Sequence, residues 1–170
     1  MAGRKGRGAR PSGEYWRCNC TALRKASRRI SQLYDTALAP SGLKMTQRAI
    51  LSQINRSEPT TVGALAMALV MDPGALAHTL KPLESARLVS IEIDLDDRRN
   101  RLVTLTASGR AELAETNSLW IEAQQRFEAA FGSAESEALR GALGLLVSGD
   151  FVSKFESSPV IKTSSEDERS

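Results

Sequence analysis

The rarest reactive side chains in this chain of 170 residues are one histidine, His78, and two cysteines, Cys18 and Cys20. A structural zinc site needs about four cysteine or histidine ligands, which this chain cannot supply. A Ser-His-Asp catalytic triad would have to use the single histidine. The sequence also has no glycine-rich phosphate-binding loop. The residue types therefore predict no metal site, no cofactor and no enzyme.

The cysteines offer redox chemistry instead. Cys20 lies near the start of a predicted helix, where the helix N-terminus and neighbouring basic residues favour the reactive thiolate. It also falls on the apolar stripe of that helix with Trp16 and Leu23, where burial would raise its pKa and favour a plain packing role. Cys18 lies about 200° away around the helix, so a bond between the two thiols would require the helix to unwind. A redox-active Cys20, a packed Cys20 and a disulfide between subunits all remain open.

A second group of candidate residues lies on a helix predicted over residues 73–86. At about 100° per residue its leucines share one stripe: Leu76, Leu80 and Leu83. Small and donor-bearing residues share the other: Gly74, His78, Lys81 and Ser85. Small residues permit close approach and donors can reach base edges and phosphates, so this stripe is typical of a helix that enters a nucleic-acid groove.

Arginines cluster at or near the tip of a predicted β-hairpin: Arg98, Arg99 and Arg101. Apolar and polar residues alternate over residues 89–93, and residues 101–105 form the second predicted strand. Pairing of an arginine with Asp96 or Asp97 is the alternative to a phosphate contact. Exposed ion pairs contribute only about 0–1 kcal/mol, so pairing alone does not account for the cluster.

The elements that position these residues form a recognisable order. Helical periodicity predicts helices before the hairpin and after it, over residues 14–39, 46–55 (with Thr46 as its cap), 62–70, 107–130 and 133–151. The helices over 62–70 and 73–86 are two or three residues apart, which is typical of a helix-turn-helix. The predicted fold is mainly α with a small β-hairpin wing (α+β): a winged helix-turn-helix flanked by long N- and C-terminal helices.

Composition and the two ends of the chain indicate how far the folded domain extends and where the protein is located. The chain is 41% hydrophobic and 25% charged, which fits one globular domain, here over residues 14–155. Residues 1–13 carry basic side chains and no acid, which predicts a flexible basic arm, and residues 156–170 predict a disordered tail. No apolar run approaches about 18 residues and no signal-like core follows the N-terminus, so we expect a cytoplasmic protein.

Three motifs in this order resemble the MarR family of bacterial transcription regulators. Residues 72–84 are similar to the family's recognition helix, residues 94–99 to its wing, and residues 105–110 to the motif that opens its fifth helix. The resemblance covers about residues 15–150. It implies a division into a DNA-binding core over about residues 44–106 and dimerisation helices over about 14–39 and 107–151.

The resemblance also implies a partner and the residues that contact it. Members are homodimers whose recognition helices occupy successive major grooves of a pseudo-palindromic operator in double-stranded DNA, with the wings at the flanking minor grooves. Position by position, the implied DNA contacts are Gly74, Ala75, Ala77, His78 and Lys81 on the helix and Arg98 and Arg99 on the wing. Many relatives have Ser or Thr at 74 and 75 and Arg at 78, so we expect more phosphate and shape readout here.

Two signals for release from DNA follow from the resemblance. Cys20, with Tyr34 fourteen residues on, is similar to the branch of the family that senses organic hydroperoxides, although Arg24 replaces that branch's second tyrosine and Thr21 its usual phenylalanine. The alternative signal is a small aromatic or phenolic effector between the dimerisation helices and the winged-helix body. Its pocket would draw on Trp16, Tyr34, Trp120 and the arginines of the first helix.

The leading interpretation is a homodimeric repressor. The alternative is a winged-helix protein-interaction module without specific DNA binding, which the few donors on the helix stripe favour and the wing arginines oppose. A large fall in duplex affinity with salt would separate them, because neutralised phosphates release counterions.

Overall fold

The structure of the protein is a computed structural model that describes residues 18–159. The predicted basic arm, Trp16 and residues 160–170 of the predicted tail lie outside the described residues. The chain divides into two compact units, one ending at Gln124 and one beginning at Gln125. Each unit is described by itself below.

The first unit holds four helices, three strands and the start of a fifth helix. In chain order they are α1 (Asn19–Leu38), a 3₁₀ turn (Ala39–Ser41), α2 (Met45–Ser57), β1 (Thr60–Thr61), α3 (Val62–Leu69), α4 (Pro73–Ser85), β2 (Val89–Ile93), β3 (Arg101–Leu105) and α5 (Ala107–Phe131). The predicted winged helix-turn-helix is confirmed, since α3 and α4 meet at 108° across a three-residue turn.

The ends of these helices follow local hydrogen bonds. Thr61 Oγ1 accepts from Ala64 N–H at 3.0 Å at the start of α3, and Asp72 Oδ1 accepts from Ala75 N–H at 3.0 Å at the start of α4. Pro73 follows Asp72, and proline suits the first helical position because that residue needs no N–H partner. These caps fix where the turn of the helix-turn-helix begins and ends.

One predicted cap is wrong. Thr46 lies inside α2, which begins at Met45, and the Met45 N–H donates to Asp35 Oδ1 in α1 at 2.7 Å. The Lys44 N–H donates to Gln47 Oε1 at 3.0 Å. A carboxylate from another helix therefore satisfies the helix start, and such a tertiary partner leaves no local sequence signal.

The sheet has one more strand than the sequence predicts. Its antiparallel order is β1-β3-β2, with Thr60 opposite Val103 and Ile91 opposite Val103 on the other side. Two-residue β1 is too short to show an alternating pattern. The predicted wing is therefore the outer part of a three-stranded sheet.

The core of the first unit lies between the helix-turn-helix and the sheet. The predicted leucine stripe of α4 is buried, which confirms its inward face. Its partners in the cluster come from the residues just before α2, from α2 and α3, and from the strands: Leu43, Ile50, Leu51, Ile54, Leu65, Ala66, Val89, Val103 and Leu105.

The second unit contains the end of α5, then α6 (Ser133–Leu146) and α7 (Gly149–Ser157). The predicted single helix over residues 133–151 is therefore wrong. Ser148 breaks it, because its Oγ accepts from the Phe151 N–H at 3.2 Å and caps a new helix. Helix α7 runs to Ser157, so the first two residues of the predicted disordered tail are helical.

Among residues 18–159 no single helix is both long enough and apolar enough to cross a membrane. The bent pair α3 and α4 passes that test on combined length and composition only.

Candidate nucleic-acid interface

The outer face of α4 carries mostly small side chains and few hydrogen-bond donors. Every predicted contact on this helix is exposed: Gly74, Ala75, Ala77, His78 and Lys81. The Thr79 hydroxyl donates to the Ala75 carbonyl at 3.0 Å, so its proton is already used within the helix. The side-chain donors on this face are therefore His78 and Lys81, with the exposed Ser85 hydroxyl at the end of the helix.

The wing loop, residues 94–100, is held by its own aspartates. Asp94 Oδ1 accepts from the Asp96 N–H at 2.9 Å, and the Asp94 N–H donates to the Asn100 carbonyl at 3.2 Å. Asp97 Oδ1 accepts from the Arg99 N–H at 3.1 Å. These bonds fix the loop that carries both predicted wing contacts.

Arg99 and Asp97 form a two-pronged ion pair in this loop. Arg99 Nε donates to Asp97 Oδ1 and Nη2 to Asp97 Oδ2, each at 2.9 Å. These hydrogen bonds lower the pKa of Asp97 and raise that of Arg99. The sequence alternative of pairing with Asp97 therefore applies to Arg99. Arg98 is exposed, and no hydrogen bond or ion pair ties it to another residue in the described part of the chain.

A cleft of about 360 Å³ lies between α4, the start of α3 and the wing. Three cationic side chains line it from two sides, Lys81 from α4 and Arg99 and Arg101 from the wing, together with the acid Glu84. The rest of the lining is mostly apolar, with Leu80 and Ile91 among its residues, and also includes the polar Thr61 and Asn100. Cations suit phosphate oxygens and apolar groups suit deoxyribose, so the cleft has the chemistry to accept a sugar-phosphate strand.

The sequence did not single out Arg48, a buried cation elsewhere in the first unit. Arg48 in α2 is only 6% exposed, and its guanidinium lies 4.6 Å from the centre of the Trp120 ring in α5. Nη2 donates to Asn117 Oδ1 at 3.1 Å, whereas Nε has no partner. Burial lowers the pKa of Arg48. Its only sequence signal is a basic residue among the apolar positions of α2.

Tyr34 is one of the residues predicted to line an effector pocket. Its hydroxyl donates to Gln124 Oε1 at 2.9 Å, and its side chain is half-buried. Of the three aromatic residues predicted for this pocket, Tyr34 and Trp120 are both half-buried in the first unit, and Trp16 lies outside the described residues.

The two cysteines occupy different positions at the start of α1. Cys18 is the N-cap residue, and hydrogen bonds with Thr21, first from its side chain and then from its backbone, lower the pKa of the Cys18 thiol. Cys20 lies in the first turn and is exposed, as is Leu23. The chain's own described residues therefore do not bury Cys20, and the sequence offered no reason to prefer Cys18.

Comparisons with known proteins agree on one family. The family model described as the MarR family matches residues 43–100, which run from the start of α2 to the wing loop. The transcriptional regulator MosR of M. tuberculosis, solved in complex with DNA, is 32% identical, with 76% of this chain and 93% of that chain covered and a TM-score of 0.70.

Two further relatives extend the comparison. The transcriptional repressor CouR of Rhodococcus jostii, solved on a 23-mer DNA duplex, is 23% identical, with 83% of this chain and 100% of that chain covered and a TM-score of 0.73. CouR has also been solved bound to p-coumaroyl-CoA. The transcriptional regulator TcaR of Staphylococcus aureus is 26% identical over 107 residues, which span 61% of this chain and 70% of TcaR.

Proposed function

The chain belongs to the MarR family, and from that premise we propose that it is a sequence-specific DNA-binding transcription regulator acting as a homodimeric repressor. The observation that carries the proposal is the exposed, small-residue face of α4 beside a cleft lined by Lys81, Arg99 and Arg101. The relative MosR was solved in complex with DNA.

In this proposal α4 enters the major groove. Gly74, Ala75 and Ala77 let the helix approach closely, and His78 and Lys81 donate to base edges or phosphates. Few donors are available, so much of the specificity comes from DNA shape and deformability.

The cleft receives the backbone strand that separates the major groove from the minor groove. Lys81 and Arg101 neutralise phosphates there, and Arg98 and Arg99 reach the minor groove from the wing. Asp97 acts as a positioning residue in this account, because its two hydrogen bonds hold the Arg99 guanidinium in one orientation.

A homodimer is supported by the surface of the second unit. Helices α6 and α7 and the turn between them leave large apolar side chains exposed: Leu143, Leu145, Leu146, Val147, Phe151, Val152 and Phe155. An exposed apolar patch of this kind marks an interaction surface in a soluble protein. A second copy of the chain is the partner that we propose.

Release by a small aromatic or phenolic effector is supported by Arg48 and Trp120. A buried guanidinium with a free Nε–H is a place where an anion would gain a charged hydrogen bond. The adjacent Trp120 ring would pack against an aromatic body. CouR, bound to p-coumaroyl-CoA, is a relative that takes an aromatic ligand.

Release by cysteine oxidation is the second proposed signal. An exposed thiolate attacks the outer oxygen of a hydroperoxide, and the products are a cysteine sulfenic acid and an alcohol. Cys20 is exposed, as this chemistry requires, and Cys18 has the lowered pKa that favours the thiolate. Both thiols are therefore candidates, with Cys18 added to the Cys20 that the sequence predicts.

The competing function is a protein-interaction module without specific DNA binding. The test is the affinity of the full chain for a mixed-sequence DNA duplex as a function of salt. The proposal predicts that the logarithm of the affinity falls linearly with the logarithm of the salt concentration, with a slope that counts several phosphate contacts. Salt-independent or undetectable binding would favour the interaction module.

A further inference from the structure

Leu95 is the most exposed of the large apolar side chains in the described part of the chain, with 89% of its surface in solvent. It lies in the wing loop between Asp94 and Asp96, which are joined by the 2.9 Å hydrogen bond from the Asp96 N–H to Asp94 Oδ1. The loop is thus held on both sides of Leu95 while its side chain gains almost no burial. A leucine here does nothing for the stability of one folded chain.

Leu95 is the next alternate residue after Ile91 and Ile93, and it lies beyond β2 in the wing loop; we call these three residues the apolar ridge. Alternate residues of β2 share a face, and along that face Val89 is buried, Ile91 lines the cleft and Ile93 is 51% exposed. The ridge therefore starts in the cleft proposed for the DNA backbone and continues out to the wing tip. A DNA backbone strand bound in the cleft would bring the duplex to Leu95, at the exposed end of the ridge.

Charge alone does not explain how this wing would hold DNA. Residues 94–101 contain three aspartates and three arginines, so the wing tip has no net charge. Asp97 also engages the Arg99 guanidinium. A wing that attracted phosphates by charge alone would not carry as many acids as bases. The apolar ridge offers a second, non-electrostatic source of affinity.

We propose that Leu95, backed by Ile93, packs into the minor groove next to the bound backbone strand and makes the protein favour flexible pyrimidine–purine steps there. The inference rests on the proposed DNA-binding function and names a specificity residue within it. Apolar side chains in the minor groove partly unstack a base step, and the cost depends on the step that is deformed. Such a contact supplies sequence preference that the donor-poor face of α4 does not.

The experiment uses the full chain and a duplex enriched from a random-sequence library by the wild-type protein. Two copies of that duplex are made, one with a TA step and one with a GC step at the wing-proximal flank. We expect Leu95→Ser to bind the TA duplex about tenfold more weakly, to lose most of the preference for TA over GC, and to keep the wild-type salt slope.

Matched variants separate this contact from other effects. Leu95→Met keeps an apolar side chain and is expected to retain both affinity and preference. Arg98→Ala removes one charge from the same loop and is expected to lower the salt slope by about one. The inference is overturned if Leu95→Ser binds as the wild type does, if it changes the salt slope, or if Leu95→Met loses as much as Leu95→Ser.

Failure of the proposed function gives a different result. If the wild-type chain enriches no sequence from the library and shows no salt-dependent duplex binding, DNA binding itself is overturned, whatever residue 95 is. If the wild type enriches a sequence and Leu95→Ser matches it in affinity and preference, only the role of Leu95 is overturned.

Discussion

At the residue scale, the proposed function depends on how the wing loop holds its charges. Asp97 lies beside the arginine that the proposed function places in the minor groove, and its own negative charge repels phosphate. If only charge mattered, removing that carboxylate would strengthen DNA binding. If orientation matters more, removing it would weaken binding, since the Arg99 guanidinium would lose its two-pronged ion pair with Asp97.

We therefore predict that Asp97→Asn binds the enriched duplex several-fold more weakly than the wild type, because positioning outweighs the lost repulsion. The matched control is Asp96→Asn, which removes the same charge from the same loop without touching Arg99. It is expected to bind equally or slightly more tightly. Equilibrium titration of both variants decides, and stronger binding by Asp97→Asn would exclude a positioning role.

The thiol of Cys18 gives a second prediction at this scale. In a Cys20→Ser variant, alkylation of Cys18 should reach half its maximal rate at a lower pH in the folded chain than in denaturant, because the hydrogen bonds with Thr21 stabilise the thiolate. Pulse labelling followed by mass spectrometry measures both profiles. Coincident profiles would mean that the folded α1 does not activate this thiol.

At the scale of elements, one close approach holds α5 against the start of β2. A Cβ atom at Gly109 would overlap the Leu88 carbonyl oxygen. The Leu88 oxygen also accepts from the Thr106 N–H at 3.1 Å, and Thr106 Oγ1 accepts from the Gly109 N–H at 3.0 Å. The start of α5 therefore leaves no space for a side chain, and only glycine fits there.

Gly109→Ala is accordingly expected to lower the free energy of unfolding by about 1–3 kcal/mol. Gly141 in α6 is the control, because nothing lies within 4 Å of the position of its Cβ. Gly141→Ala is expected to raise stability by about 0.5–1 kcal/mol. Urea denaturation of the two variants checks both signs, and a neutral Gly109→Ala would show that the helix start can shift.

A second tie between elements involves Glu58, after α2. Its carboxylate accepts from Arg110 Nη1 and, at 2.8 Å, from the Leu105 N–H, and these partners lower the pKa of Glu58, chiefly through the Arg110 hydrogen bond. Because the pKa of Glu58 is lower in the folded chain, its ionised carboxylate stabilises the fold at pH values above the unfolded pKa of about 4.3. This stabilisation is lost as the pH falls through the folded pKa.

We predict that Glu58→Gln costs about 1–3 kcal/mol of unfolding free energy at neutral pH and that the difference from wild type shrinks in acid. Denaturation curves over a pH series measure this. Glu137→Gln, on the exposed surface of α6, serves as the control and is expected to stay within about 0.5 kcal/mol at each pH. A cost for Glu58→Gln that did not depend on pH would contradict the role of its charge.

Sequence patterns predicted the elements that have strong local signals. The Asp72-Pro73 start of α4, its leucine stripe and the alternating β2 strand all agree with the structure. What the sequence missed depends on partners distant along the chain. Strand β1 exists through pairing with β3, the start of α2 is completed by Asp35, and Arg48 is buried by Trp120.

At the scale of the whole molecule, the account requires two copies of the chain. The exposed apolar residues of α6 and α7 include Leu145, at 69%, and Phe155, at 74%. We predict that the wild type sediments as a dimer and that the Leu145→Asp and Phe155→Asp double variant dissociates at least tenfold more readily, because a buried unpaired carboxylate is costly. Met67→Asp, an exposed apolar position on α3, should stay dimeric.

Loss of the dimer should also weaken operator binding, since a pseudo-palindromic site needs two recognition helices on one face of the duplex. Analytical ultracentrifugation and duplex titration of the same samples connect the two properties. If the double variant remained dimeric, the exposed apolar residues of α6 and α7 would not form the proposed subunit interface.

The most direct test of the central claim is a footprint of the reduced, full-length protein on the DNA upstream of its own gene, with a parallel lane treated with organic hydroperoxide. The account predicts one protected, nearly palindromic site whose half-sites are about one helical turn apart. Loss of protection in the treated lane would assign release to the cysteines, and its persistence would direct the search to aromatic ligands. A protein that protected no site there, and bound random duplex without salt dependence, would contradict the proposed function.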